Sequence, residues 1–97
     1  MSEDKKYNGW TNYETWAVSL WIDNDQSSYR YWRQEAARCL RQSADKAEAI
    51  RRLAEQLERE ITENAPTDAP NAYSDLLTAA LCEVNWVEIA ASWLSEE

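Results

Sequence analysis

The fold is decided by residues 44–63, ADKAEAIRRLAEQLEREITE, which consist almost entirely of strong helix formers. Apolar side chains recur here at steps of three and four residues: Ala47, Ile50, Leu53 or Ala54, Leu57 and Ile61. Two oppositely charged pairs stand four residues apart, Glu48–Arg52 and Glu55–Arg59. The stretch therefore predicts an amphipathic helix with Ser43 as its N-cap and one apolar face on a core.

A second helix is predicted just before this stretch, starting between Asp25 and Ser28 and ending near Gln42. Its apolar stripe consists of Tyr29, Trp32, Ala36, Cys39 and Leu40. The arginines of the same helix, Arg30, Arg33, Arg38 and Arg41, lie mostly off that stripe. We expect the stripe to pack on the core and the arginines to face away from it.

The chain enters its first helix through residues 11–14, Thr-Asn-Tyr-Glu, which fit a capping box with Thr11 as N-cap and Glu14 reaching back. Apolar and aromatic residues then follow helical spacing: Tyr13, Trp16, Ala17, Leu20 and Trp21. We expect this face to be buried and the helix to end at residues 23–25, Asp-Asn-Asp.

Residues 64–70 are the clear linker, because Pro66 and Pro70 cannot continue a helix. A fourth helix is predicted from Asn71 to Cys82, with Tyr73, Leu76, Leu77, Ala80 and Leu81 facing inward. A cap at Asn85 predicts a short fifth helix whose inward residues are Ile89, Ala90, Trp93 and Leu94. The fold class is all-α: a bundle of four to five helices over residues 9–97 as a single domain, preceded by a flexible arm at 1–8. A short strand near the N-terminus remains an open alternative.

Composition argues against an enzyme. The 97 residues contain no His, one Gly and two Cys, so the commonest general base, a glycine-rich phosphate loop and a cysteine zinc site are all missing. We therefore predict no catalytic residue, no metal site and no cofactor. The chain has no apolar run of transmembrane length and no signal-like start, which predicts a cytoplasmic protein with Cys39 and Cys82 as reduced, buried, small hydrophobes.

The aromatic residues admit two interpretations. The set Trp10, Tyr13, Trp16, Trp21, Tyr29, Tyr31 and Trp32 could stack the bases of single-stranded nucleic acid. A net charge of −8 repels phosphates, however, unless Arg30 to Arg52 form a separate basic patch. A helical core is the favoured interpretation, with Tyr31 as its exposed exception.

The charge is distributed unevenly along the chain. Residues 1–52 carry a net charge of +1, whereas residues 53–97 carry −9. The candidate partner-binding acids of this second half are Glu55, Glu58, Glu60, Glu63, Asp68, Asp75, Glu83 and Glu88. Carboxylates three or four residues apart on a helix are about 5–6 Å apart, comparable with neighbouring phosphates of one DNA strand. Such a row could occupy a basic DNA-binding groove, although a solvated acidic face is the commoner explanation of charge alone.

Two segments carry a family resemblance. Residues 8–25, NGWTNYETWAVSLWIDND, and residues 81–90, LCEVNWVEIA, resemble a family of small proteins of phages, plasmids and other mobile elements. The whole chain further resembles anti-CRISPR proteins directed at type I-C systems. That resemblance implies a phage-encoded inhibitor, in the cytoplasm of a bacterial host, that binds the surveillance complex (Cascade) and blocks target DNA. It implies no individual binding residue.

Resemblance and charge together favour one function and leave two alternatives. The favoured function is an acidic DNA mimic that binds a basic groove of a protein partner, a Cascade subunit, as a monomer and without binding nucleic acid or membrane itself. The first alternative is a helical adaptor that binds a protein through exposed aromatic and Arg residues of the second helix. The second is a nucleic-acid-binding accessory protein that uses Arg30 to Arg52.

Overall fold

The computed structural model describes residues 7–64 and 72–95, with side chains from residue 76 onwards in the second range. Within these residues the chain forms five helices and no sheet. They are α1 (Tyr13–Asn24), α2 (Gln26–Gln42), α3 (Lys46–Glu63), α4 (Ala72–Cys82) and α5 (Trp86–Leu94). The predicted all-α fold is confirmed. None of these helices is both long and apolar enough to cross a membrane.

The segment before α1 forms a tight turn. Tyr7 and Trp10 exchange both backbone hydrogen bonds, at 3.1 and 2.8 Å, and form an isolated antiparallel bridge. Asn8 and Gly9 between them have positive φ angles of 51° and 92°. Asn and Gly are the residues that tolerate this left-handed backbone best, so the Asn-Gly pair closes the turn. The short strand that was left open near the N-terminus is therefore a single β-bridge. Residues 1–6 of the predicted arm lie outside the described residues.

Two predicted N-caps are displaced by one or two residues. Helix α1 is capped by Asn12, not Thr11, because the Asn12 side chain accepts from the Thr15 N–H at 2.9 Å. Helix α3 is capped by Asp45, whose Oδ1 accepts from the Glu48 N–H at 2.9 Å, whereas Ser43 is the C-cap of α2. The Asn85 cap of α5 is confirmed.

The core lies mainly between α3 and α5, which pack most extensively, with α2 against both. Its buried apolar side chains are Ile22, Trp32, Ala36, Cys39, Ala49, Leu53, Ala54, Leu57, Val84, Trp86, Ile89, Ala90 and Leu94. The predicted stripe of α2 is confirmed at its centre, although Tyr29 is exposed, with its ring against that of Trp93. Ala47 of α3 is exposed, while Gln56 is buried.

The predicted buried face of α1 is wrong. Tyr13, Leu20 and Trp21 are exposed, and Trp16 and Ala17 are only partly buried. The side chains that α1 buries are Thr15, Ser19 and Ile22. Two of these are small and polar, so α1 packs closely on its neighbours while each hydroxyl makes a hydrogen bond. Of the six aromatic residues that were interpreted as core, Trp32 is buried and Trp10 and Trp16 are partly buried, whereas Tyr31, the expected exception, is exposed.

Helix α4 packs least against the rest of the described bundle. Leu76 was predicted to face inward but is 66% exposed, whereas Leu77, Ala80 and Leu81 are partly buried. Cys82 is exposed, which corrects its interpretation as a buried hydrophobe. Both cysteines are free, and Cys39 is buried as expected. The Tyr73 side chain lies outside the described residues.

Candidate interaction surfaces

Three of the predicted acids, Glu55, Glu58 and Glu63, are exposed on α3 and form what we call the acidic row. All three line one shallow depression on the outer face of the helix. Glu55 and Glu58 also border a groove formed with residues 84–87, at the start of α5. The structure therefore brings these three carboxylates together on one solvent-facing surface.

Arginines interrupt the acidic row. Arg59 lines the same depression as the three glutamates, and Arg51 approaches Glu55 at 3.7 Å. The Glu55–Arg59 pair expected from spacing is replaced by this Arg51–Glu55 contact, while the Glu48–Arg52 pair is confirmed at 3.0 Å. Both Arg51 and Glu55 are well exposed, so their pairing adds little to stability. The main consequence is electrostatic, because the arginines partly neutralise the row.

Glu60 lies on a different face of α3 from the acidic row. Its Oε1 accepts from the Tyr31 hydroxyl at 2.7 Å, and its Oε2 accepts from Gln56 Nε2 at 3.0 Å. Hydrogen bonding to Glu60 is the main reason that the pKa of Tyr31 is raised above its ordinary value. Glu60 therefore ties α3 to α2, which corrects its assignment to the same acidic face as Glu55 and Glu58.

The later acids have separate roles. Glu88 is partly buried, and its Oε1 accepts from the Thr11 N–H at 3.1 Å. Glu83 is exposed, and its backbone carbonyl accepts from Asn12 Nδ2 at 2.8 Å. Asp68 lies outside the described residues, and Asp75 lies in α4 where only the backbone is described. Of these four acids, Glu83 is the one whose side chain is both described and exposed, so that a partner could contact it.

A polar network joins α2 to α3 beside Glu60. The Gln56 side chain donates to Glu35 Oε1 at 2.8 Å and accepts from Arg38 Nη2 at 3.0 Å. Arg38 also donates to Glu35 through two of its nitrogens. The hydrogen bonds from Arg38, and to a lesser extent from Gln56, lower the pKa of Glu35. Burial raises the pKa of the neighbouring Cys39 thiol, which makes it a poor nucleophile.

Three arginines form a separate basic face on the outside of α2. Arg30, Arg33 and Arg41 are exposed, and no ion pair of theirs exists in the part of the chain that the structure describes. Arg38, by contrast, is paired with Glu35. This basic face was named in the adaptor hypothesis, and sequence reasoning placed it correctly off the apolar stripe.

Sequence reasoning missed an apolar groove of about 750 Å³ where α1, α2, α3 and α4 meet. Its floor includes the buried Ile22 and Trp32, and Trp21 and Leu77 are among its other lining residues. The groove went unrecognised because Trp21 was assigned to the core.

Among the described residues, no three His, Cys, Asp or Glu side chains are grouped so as to hold a metal ion.

The two segments that carry the family resemblance lie against each other. Besides the Thr11–Glu88 and Asn12–Glu83 bonds, the Asn85 N–H donates to Thr15 Oγ1 at 2.8 Å. The polar residues of both segments thus cap α1 and α5 and hold the two helix starts together.

The chain belongs to the family of unknown function DUF7249. The model of that family matches residues 3–90, which include both segments. No curated protein and no solved structure matches the chain.

Proposed function

We propose that this protein is an inhibitor that inserts the acidic row into a basic DNA-binding groove of a protein partner. The observation that carries the proposal is the exposure of Glu55, Glu58 and Glu63 on one face of α3. Eight residues of helix separate the first from the last, about 12 Å along the axis. Over that length one strand of B-DNA presents three to four phosphates, at about 3.4 Å each.

The partner we propose is the type I-C surveillance complex, which is the target implied by the family resemblance. Occupation of its DNA-binding groove would exclude target DNA while the protein itself binds no nucleic acid. Charge complementarity supports fast association and a strong dependence on salt, since both follow from electrostatic steering. We propose that the monomer carries out this inhibition in the cytoplasm of the bacterial host.

The test is target-DNA binding by a purified type I-C surveillance complex, measured by fluorescence anisotropy with increasing inhibitor. The triple variant Glu55→Gln, Glu58→Gln, Glu63→Gln removes the row without touching the buried Leu53 or Leu57. We expect at least about a tenfold loss of inhibition, since each exposed charge contact contributes up to about 1 kcal/mol.

A charge-matched control separates the row from the net charge. The variant Gln34→Lys, Thr78→Lys, Ser92→Lys changes three exposed residues on α2, α4 and α5, and alters the net charge by the same amount. We expect this control to inhibit like wild type. Equal loss in both triple variants would mean that only overall charge matters, and unchanged DNA binding at saturating wild-type protein would rule out mimicry against this complex.

The basic face of α2 supports a second candidate, the helical adaptor. Arg30, Arg33 and Arg41 form no ion pair within the described residues, so their guanidinium groups are available to carboxylates of another protein. A pulldown from cells that carry a type I-C system compares Arg30→Gln, Arg33→Gln, Arg41→Gln with the Gln variant of the acidic row. Loss of captured protein only with the arginine variant would favour the adaptor.

A further inference from the structure

We propose that the apolar groove between α1, α2, α3 and α4 binds an amphipathic helix of a partner protein whose apolar face is flanked by Lys or Arg. The groove opens on a different side of α3 from the acidic row, because Glu60 and Ile61 line it whereas Glu55 and Glu58 do not. Binding here is independent of the inhibitor mechanism proposed above.

Exposed apolar side chains border this groove. Trp21 and Tyr31, which both line it, are 64% and 42% exposed. Across the groove, α4 contributes Leu77 and Leu81 to the lining. Large apolar side chains concentrated at one exposed place mark interaction sites. Trp is also among the residue types that most often dominate the binding energy of protein interfaces.

The charges around the groove select a basic partner. Among the described residues that line it, Glu60 is the one charged side chain. The C-cap of α3, Asn64, also lines the groove. The last turn of α3 carries no basic residue, so the negative end of its helix dipole is left uncompensated. Cationic side chains beside the apolar face of a partner would be attracted to this site.

The occupant that fits is a helix rather than a strand. Strand addition needs an exposed sheet edge, and the described part of the chain contains no sheet. A trough bounded by helices, with aromatic and aliphatic walls, suits the apolar stripe of another helix, which places anchors at every third or fourth residue. The occupant we infer is therefore a basic amphipathic helix.

The test uses two labelled synthetic peptides of about 18 residues, long enough for several helical turns. Both carry Leu at helical spacing, and the remaining positions are Lys in one peptide and Glu in the other. Binding to the full chain is measured by fluorescence anisotropy at about 0.15 M salt, where distant charges are screened. We expect the Lys peptide to bind at least about tenfold more tightly than the Glu peptide.

Two variants locate the binding. Trp21→Ala should weaken the Lys peptide about tenfold or more, as expected for an aromatic anchor. Val87→Ala, at a 55% exposed position on α5 outside the groove, should leave its affinity unchanged. Circular dichroism checks that both variants fold. Equal affinity of wild type and Trp21→Ala, or equal binding of the two peptides, would overturn the proposal. So would sedimentation of a dimer that Trp21→Ala dissociates, because a second copy would then cover the groove.

Discussion

At the residue scale, Thr15 shows how a polar side chain holds this core together. Its side chain is fully buried, its hydroxyl donates to Asn12 Oδ1 at 2.7 Å, and the Asn85 N–H donates to it at 2.8 Å. One hydroxyl thereby joins the cap of α1 to the cap of α5. If it is removed, a partly buried backbone N–H loses its acceptor, which costs more than the loss of an exposed contact.

Thr15→Val should therefore destabilise the protein by about 1–3 kcal/mol, since it keeps the side-chain volume but leaves the Asn85 N–H unsatisfied. Trp21→Ala, which removes a far larger but 64% exposed side chain, should change stability by about 0.5 kcal/mol or less. Urea denaturation of both variants measures the difference. A larger loss for Trp21→Ala would mean that the aromatic face of α1 is buried after all.

The two cysteines should differ in reactivity. Cys82 is exposed, whereas Cys39 is buried and its thiol pKa is raised by burial. We expect a thiol reagent such as DTNB to modify a single cysteine quickly in the folded protein, and to reach the second only in denaturant. Cys82→Ser should abolish the fast reaction, and Cys39→Ala should preserve it. Fast modification that survives Cys82→Ser would contradict this assignment.

Prediction from sequence succeeded for residues whose burial follows hydrophobicity and failed where hydrogen bonding decides it. Trp32, Ala36 and Cys39 were placed correctly, because a helix with one apolar stripe has only one way to bury it. On α1 the aromatic face was chosen over Thr15 and Ser19. Helical periodicity does not reveal that a hydroxyl has a backbone partner 70 residues away.

At the element scale, the Glu35–Arg38–Gln56 network fixes α2 on α3. Gln56 is buried on α3 and bonds Glu35 and Arg38 of α2 as well as Glu60 of its own helix. A buried polar network of this kind is stable only while each member keeps its partners. The network therefore sets the register of the two helices and links their packing to pH through Glu35.

Glu35→Gln should lower stability by about 1 kcal/mol at pH 7, because the ionised carboxylate accepts charge-assisted hydrogen bonds. The pKa of Glu35 is lower in the folded protein, so its contribution is present above the unfolded value of about 4.3 and is lost as pH falls through the folded value. The gap between wild type and variant in urea midpoint should thus shrink from pH 7 to about pH 3. Gln34→Ala, at an exposed neighbouring position, should have the same urea midpoint as wild type. A difference between wild type and Glu35→Gln that stays constant with pH would contradict the account.

Helix existence was predictable, but helix starts were less so. Apolar spacing and the two prolines located all five helices, since these signals extend over many residues. The caps of α1 and α3 differ from the predicted ones because Thr11 and Asn12, or Ser43 and Asp45, are equally suitable residue types. At α3 the spacing of Asp45 and Glu48, three residues apart, was a sequence signal that could have decided the matter: Asp45 accepts from the Glu48 N–H, and Glu48 accepts from the Ala44 N–H.

At the scale of the whole molecule, charge is separated between faces. The outer face of α2 is basic, the outer face of α3 carries the acidic row with Arg51 and Arg59, and the apolar groove lies on a third side. The acids could be counted from the sequence. The hydrogen bonds that Glu60 and Glu88 accept from residues 29 and 77 positions away could not be predicted, because those contacts depend on the packing of whole helices.

The most direct test of the inhibitor mechanism is the affinity of Arg59→Gln for the type I-C surveillance complex, measured by isothermal titration. Arg59 lies among the three glutamates of the row. If the row binds a basic groove, removing this positive charge should tighten binding about two- to fivefold. Lys46→Gln makes the same change in net charge about 20 Å away along α3, well beyond the Debye length, and should leave the affinity unchanged. Weaker binding by Arg59→Gln would contradict the account.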